Sequence, residues 1–228
     1  MSDFVIAPPP VAAVPVAGGG AFPVRRIFCV GRNYAEHARE MGGDPSREAP
    51  FFFAKPADAL VTGGADMPYP AATADLHFEL ELVVAIGRGG TDIPVGEAQA
   101  HVWGYAVGLD MTRRDLQAEA KKAGRPWDMS KGFDLSAPIG DLVRAAETGP
   151  LARGALVLTV NGATRQSSDI DRMIWSVPET IAYLSGLVRL APGDLIFTGT
   201  PEGVGAVGRG DVLEGRVADL PVLRTRIA

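Results

Sequence analysis

Apolar residues in this chain fall in short runs divided by Gly, Pro and Asp, and few of the runs carry helical spacing. Arg26–Val30, His77–Ile86, Val102–Asp110, Leu156–Val160, Asp194–Thr198 and Leu220–Ile227 read as strands. Turn residues recur at intervals of about 8–12 residues, the spacing of a β-rich body. Asn161-Gly162 directly after Leu156–Val160 predicts a tight hairpin, because both residue types tolerate the positive φ that such a turn demands. Helices are predicted at three places. Asn33 followed by Glu36 has the form of a capping box opening a short helix that Gly42-Gly43 ends. His37 and Glu40 then lie one turn apart on one face. Leu116–Ala123 is the second helix, and Ser176-Val-Pro-Glu179 caps a third that runs to about Leu187. The expected fold is mainly β with a few short helices and no internal repeat.

Residues 1–22 break the pattern. They are rich in Pro, Ala, Val and Gly, which predicts an extended arm, laid on the body or on a partner subunit and punctuated by Gly18-Gly-Gly20. Residues 23–228 are expected to form one domain.

Composition narrows the function classes. A chain of 228 residues with 46% hydrophobic content can bury a sizeable core. The net charge of −5, without any basic run, argues against a nucleic-acid surface. No apolar stretch approaches the ~20 residues of a membrane span, and the N-terminus lacks the features of a signal peptide. A cytoplasmic protein with no membrane partner is expected. Cys29 is the single cysteine, which excludes an intramolecular disulfide; inside an apolar strand it reads as a buried structural thiol. Gly203-Val-Gly205-Ala-Val-Gly208 matches a dinucleotide-binding spacing, but Thr-Pro precedes it and Arg-Gly-Asp follows. With no strand before and no helix after, it reads as a glycine-rich turn.

Candidate chemistry centres on Glu79-Leu80-Glu81. In a strand, residues i and i+2 share a face, so both carboxylates point the same way. Two placements are open: the solvated face of an antiparallel strand, or a buried face where a cation compensates them. The following strand ends on Asp110, and carboxylates at strand ends are well placed to converge. Glu79, Glu81 and Asp110 would form an all-oxygen set that favours Mg²⁺ or Mn²⁺ over zinc.

Several segments, in order, resemble the fumarylacetoacetate hydrolase family. They are Val30-Gly-Arg-Asn-Tyr-Ala-Glu-His37, Phe53-Ala-Lys-Pro56, His77-Phe-Glu-Leu-Glu81, Gly104–Asp110, Arg114-Asp-Leu-Gln117, Lys131-Gly-Phe133, Val160-Asn-Gly162 and Pro192–Pro201. Residues 101–135 and Met173-Ile-Trp-Ser176 are most similar to its fumarylpyruvate hydrolases. The resemblance covers the chain from about Pro23 to the C-terminus. It implies a β-sandwich or incomplete barrel, usually a homodimer, with one Mg²⁺ or Mn²⁺ on Glu79, Glu81 and Asp110. It also implies a lid carrying His37 and Glu40.

The activity so implied is cleavage of the C–C bond of a 2,4-diketo acid, such as fumarylpyruvate to fumarate and pyruvate, as in gentisate-type aromatic catabolism. His37 is the expected general base, oriented by Glu40. Lys131 is expected to stabilise the oxyanion formed when water adds. Arg114, Gln117, Thr200 and Lys55 are the expected contacts to a dicarboxylate substrate, with Arg suited to bidentate recognition. His77 is either a partner of the metal glutamates or a buried structural residue, and His101 is expected in a solvated turn. Two other enzyme readings share the same metal site: an acylpyruvase and an oxaloacetate decarboxylase. A non-catalytic, metal-stabilised binding protein is the reading from another class.

Overall fold

The structure, a computed structural model, describes residues 4–40 and 48–228. The predicted helix end at Gly42-Gly43 lies outside them. The central element is a six-stranded sheet in the order Val143–Arg144, Val102–Leu109, Leu80–Ile86, Asp194–Phe197, Arg26–Gly31, Phe51–Lys55. Asp194–Phe197 runs parallel to Arg26–Gly31, and the other neighbours are antiparallel. A four-stranded antiparallel sheet, ordered Ala163–Asp169, Ala155–Val160, Val212–Val217, Leu223–Arg226, packs against it. The contact is close: a Cβ on Gly215 would stand 2.7 Å from Leu80 Cδ1. The result is a β-sandwich without a closed barrel, with short helices at its margins.

Strand periodicity explains the two cores. Leu80, Leu82, Val84 and Ile86 point one way, onto Leu156, Leu158, Leu213 and Val217. Val83 and Ala85 point the other way, onto Ile27, Cys29, Leu195 and Phe197. Because both faces are covered, the run from Leu82 onward is continuously apolar rather than alternating. Cys29 is fully buried, and that burial raises its thiol pKa, in keeping with a structural role.

Two predicted elements come out differently. The run His77–Ile86 is two strands: Leu76–Phe78 pairs with Gly205–Val207 and Thr112–Arg113, whereas Leu80–Ile86 belongs to the central sheet. Glu79 is the joint between them. Asn33 is not the cap of the helix Ala35–Glu40. Its Oδ1 accepts from the Trp175 N–H at 2.7 Å, and its Nδ2 donates to the Trp175 and Thr198 carbonyls at 2.9 and 2.7 Å. Distant backbone took the side chain that local spacing assigned to the helix.

Other local signals hold. Asn161 and Gly162 have φ of 52° and 80° and join Ala155–Val160 to Ala163–Asp169. The helix Val177–Leu187 opens on the Ser176–Glu179 capping box, with the Ser176 N–H donating to Glu179 Oε2 at 3.0 Å. Gly205–Val207 is a strand, so the glycine-rich motif has no helix to open. From Ala13 the N-terminal segment is folded into the body. Ala13–Pro15 pairs with Ala21–Pro23, and Val14 and Phe22 enter the core beside Ile27. No described helix is long and apolar enough to cross a membrane.

Candidate active site

Register, as well as sequence, brings the three carboxylates together. Glu81 follows the face of Val83 and Ala85, and Glu79 lies two residues before it. Leu80 pairs with Leu109, so Asp110 falls opposite Glu79, and the Asp110 N–H donates to the Glu79 carbonyl at 2.9 Å. Ligand atoms of Glu79, Glu81 and Asp110 lie within 4.8 Å of one another, and all three residues are buried. The solvated placement is thereby excluded for these residues.

Three cations surround them. Lys131, buried at 2% exposure, donates to Glu79 Oε2 and Asp110 Oδ2, each at 2.7 Å. Arg114 Nη2 donates to Glu79 Oε1 at 2.7 Å. Lys55 Nζ donates to the carbonyls of Met111 and Lys131 and stands 2.9 Å from Asp110 Oδ1 at ion-pair distance. Beyond this ion pair, Asp110 Oδ1 has no hydrogen-bond partner although it is buried. A buried carboxylate oxygen with unshared lone pairs, beside two more carboxylates, fits a hard divalent cation and offers none of the sulfur or imidazole donors zinc prefers.

The two glutamates differ in charge balance. Burial opposes ionisation of Glu79, but Lys131 and Arg114 outweigh it and hold its pKa well below the ordinary carboxylate range. At Glu81, burial is reinforced by the charges of Asp110 and Glu79. Its pKa rises well above the usual value despite the 2.7 Å hydrogen bond from the Gly199 N–H. Lys131 is held more basic than usual: the charges of Asp110 and Glu79 overcome the burial that works against its ammonium.

Glu79 and Glu81 line a small cleft, and Asp110 lies beside them without lining it. His37, Glu79, Glu81, Arg114, Gln117, Lys131 and Thr200 all line it. His37 Nδ1 lies 3.2 Å from Glu40 Oε2, and Glu40 also accepts from the Gly203 N–H. Gln117 Oε1 accepts from Arg114 Nη1 at 2.6 Å. Lys55 is placed differently: it sits behind Asp110 and does not line the cleft. His77 is half-buried, pairs with Asp75 at 2.9 Å and is also outside the cleft. His101 is buried, not solvated, with Nδ1 2.8 Å from the Arg88 carbonyl.

Some contributors gave no local sequence signal. Gln166 is buried; its Oε1 accepts from the Leu80 N–H at 2.9 Å, and its Nε2 donates to Thr200 Oγ1 and the Pro201 carbonyl, each at 2.9 Å. It ties the strand between the two glutamates to the Thr200 loop. Phe51, Phe53 and Trp127 supply aromatic walls, with Phe51 and Trp127 edge-on at 5.5 Å. A glutamine in a polar strand and a run of phenylalanines look like surface and core until the fold is known.

Such a site can hold an anionic, oxygen-chelating substrate against a divalent cation, with ammonium and imidazole groups beside it. A family model described as fumarylacetoacetate (FAA) hydrolase C-terminal matches residues 26–228. The chain belongs to the fumarylacetoacetate hydrolase family. It is 54% identical to a fumarylpyruvate hydrolase from Pseudomonas aeruginosa solved in complex with Mn²⁺ and pyruvate, with 99% of each chain covered and a TM-score of 0.97. A fumarylpyruvate hydrolase of Ralstonia sp is 48% identical over 174 residues, covering 76% of this chain and 90% of that protein. The mitochondrial oxaloacetate tautomerase FAHD1 of Pongo abelii is 42% identical over 203 residues, covering 89% of this chain and 91% of its own length.

Proposed function

We propose that this protein is a Mg²⁺- or Mn²⁺-dependent hydrolase of 2,4-diketo acids, with fumarylpyruvate its preferred substrate and fumarate and pyruvate its products. The observation that carries this reading is the convergence of Glu79, Glu81 and Asp110 on one another at a cleft lined by Lys131 and a carboxylate-oriented His37. Likeness to the two fumarylpyruvate hydrolases supports the choice of substrate.

Glu79, Glu81 and Asp110 would hold the cation. When bound, it supplies Lewis-acid stabilisation for the enolate of the departing pyruvate. The other roles belong to the chain. With Glu40 on Nδ1, His37 keeps its proton there and presents the Nε2 lone pair to water. Water adds to the distal ketone, and the bond between that carbon and the methylene breaks. Its electron pair leaves with the pyruvate half and is protonated at the methylene carbon. Lys131 has three donor protons, and two carboxylates take two of them. The third is available to the oxyanion formed on addition. Arg114, Gln117 and Thr200 position the substrate. Lys55, outside the cleft lining, supplies a counter-charge to Asp110 at 2.9 Å.

The same reading extends to a homodimer in the cytoplasm serving gentisate-type aromatic catabolism. A second reading, decarboxylation of oxaloacetate to the pyruvate enolate, is favoured by likeness to the mitochondrial oxaloacetate decarboxylase of Dictyostelium discoideum, 41% identical over 197 residues. Pyruvate release from fumarylpyruvate, maleylpyruvate, acetylpyruvate and oxaloacetate, each with Mg²⁺ and with EDTA, separates the two. Chelator-sensitive preference for fumarylpyruvate is expected. Preference for oxaloacetate would move the assignment to decarboxylation, and His37→Ala would then leave turnover largely intact.

A further inference from the structure

The cations nearest the carboxylate cluster are anchored there, at the end where the diketo group reacts. Lys131 is taken by Glu79 and Asp110, Arg114 by Glu79 and Gln117, and Lys55 by Asp110 and two carbonyls. A fumaryl substrate carries a second carboxylate at its far end, which these groups do not serve. Arg32 lines the same cleft and is half-buried. Among the described residues it has no ion-pair partner; its guanidinium carbon lies 5.8 Å from the centre of the Phe51 ring. Its backbone has a φ of 54°, the left-handed region that side chains other than glycine rarely adopt. Such conformations are strained and gather at functional sites. Gly31 beside it has no room for a Cβ, which would lie 2.0 Å from the Phe51 ring. Backbone and ring are thus fitted together to deliver Arg32 at the cleft.

A second cation follows from helical spacing. Arg114, Gln117 and Lys121 all line the cleft and lie on one face of the helix Arg114–Lys122. Seven residues separate Arg114 from Lys121, about 10 Å along the helix axis. Arg114 is anchored at the carboxylates, whereas Lys121 is exposed, so the stripe leads from the carboxylates outward. Phe51, Phe53 and Trp127 line the same cleft.

We propose that Arg32, with Lys121, is the specificity-determining pair for the distal carboxylate of the substrate, and that the aromatic walls bind its planar unsaturated segment. The inference deepens the hydrolase reading and rests on it. It makes the enzyme selective for dicarboxylic acylpyruvates over acylpyruvates with a neutral end.

The test compares kcat/KM for fumarylpyruvate and acetylpyruvate in wild type, Arg32→Met, Arg32→Lys and Lys121→Met, all with saturating Mg²⁺. A charge-assisted hydrogen bond predicts that Arg32→Met lowers the fumarylpyruvate-to-acetylpyruvate ratio by about 10- to 100-fold. The loss should fall on KM for fumarylpyruvate rather than on kcat. Arg32→Lys should recover part of the ratio, and Lys121→Met should lower it less. Acetylpyruvate turnover reports whether each variant is folded. An unchanged ratio in Arg32→Met, or an equal fall for both substrates, overturns the inference. Failure of the wild type to turn over fumarylpyruvate defeats the hydrolase reading first, before any variant is compared, and this inference with it.

Discussion

Glu79 and Glu81 are two residues apart on one face, yet folding drives their protonation in opposite directions. Glu79 is held ionised by Lys131 and Arg114, whereas Glu81 is burdened by burial and by two neighbouring carboxylates. Their neutral isosteres should therefore behave differently in chelator. Glu79→Gln removes one partner of a buried ion-pair cluster and should cost about 3–5 kcal/mol. Glu81→Gln relieves repulsion and should leave the metal-free fold as stable or more so, while abolishing turnover, as should Glu81→Ala. The pH dependence follows with its sign. Between the ordinary carboxylate value of about 4.3 and the raised value of Glu81, the folded state keeps a proton that the unfolded state has lost. Stability conferred through Glu81 is therefore lost as pH rises across that window. Thermal melts in EDTA from pH 5 to 8 check this: the Glu81→Gln variant should decline less with pH than wild type, and superimposable curves would refute the charge assignment. The shared face of Glu79 and Glu81 was legible in the sequence because a period of two is a property of any strand. Asn33 was not, because its partners lie 142 and 165 residues away, and no local pattern encodes them.

At the scale of elements, the cleft depends on segments that do not touch a substrate. Gln166, on Ala163–Asp169, fastens the Leu80 backbone to the Thr200 loop. Gln166→Leu would leave the Leu80 N–H and the Pro201 carbonyl buried without this partner. A cost of about 1–3 kcal/mol is expected for each such group, partly recovered by relaxation, together with a rise in KM as the loop loosens. Urea melts and steady-state kinetics on one preparation measure both; a stable variant with altered KM alone would confine Gln166 to the loop. Periodicity and turn chemistry made the strands, the Asn161-Gly162 hairpin and the Ser176 box legible, since each is decided within a few residues. The break at Glu79 was hidden because both halves of His77–Ile86 have strand character. What divides them is the choice of partner strands, which tertiary structure makes. Helical spacing was equally informative for His37 and Glu40, whose 3.2 Å contact is an i,i+3 pair. His37→Ala should reduce hydrolysis of fumarylpyruvate by at least the ~100-fold typical of general-base removal; an unchanged kcat would reassign the proton transfer.

For the whole molecule, the sequence announced a β-rich class and, by its ordered segments, a family, but not the sheet order. Asp194–Phe197 inserts between Leu80–Ile86 and Arg26–Gly31, more than 100 residues from the one and more than 150 from the other. That insertion places Gly199 at Glu81 and Thr200 in the cleft. Strands from three distant parts of the chain thus meet at one buried carboxylate cluster, whose mutual repulsion opposes the fold that assembles it. A divalent cation would reverse that opposition, and its binding energy would then appear as stability of the entire sandwich. At a free ion concentration 100 times Kd the gain is about 2.7 kcal/mol, or roughly 5–10 °C in Tm for a chain of this size. Mg²⁺ and Mn²⁺ should each raise Tm in a saturable manner, and EDTA should reverse the rise and stop pyruvate release over the same concentration range. Because the cation binds a deprotonated Glu81, the rise should be larger at pH 8 than at pH 6. In Glu81→Gln the rise should shrink sharply at both pH values. A Tm indifferent to both ions at either pH would remove the metal from this site and leave the three carboxylates to Lys131, Arg114 and Lys55 alone.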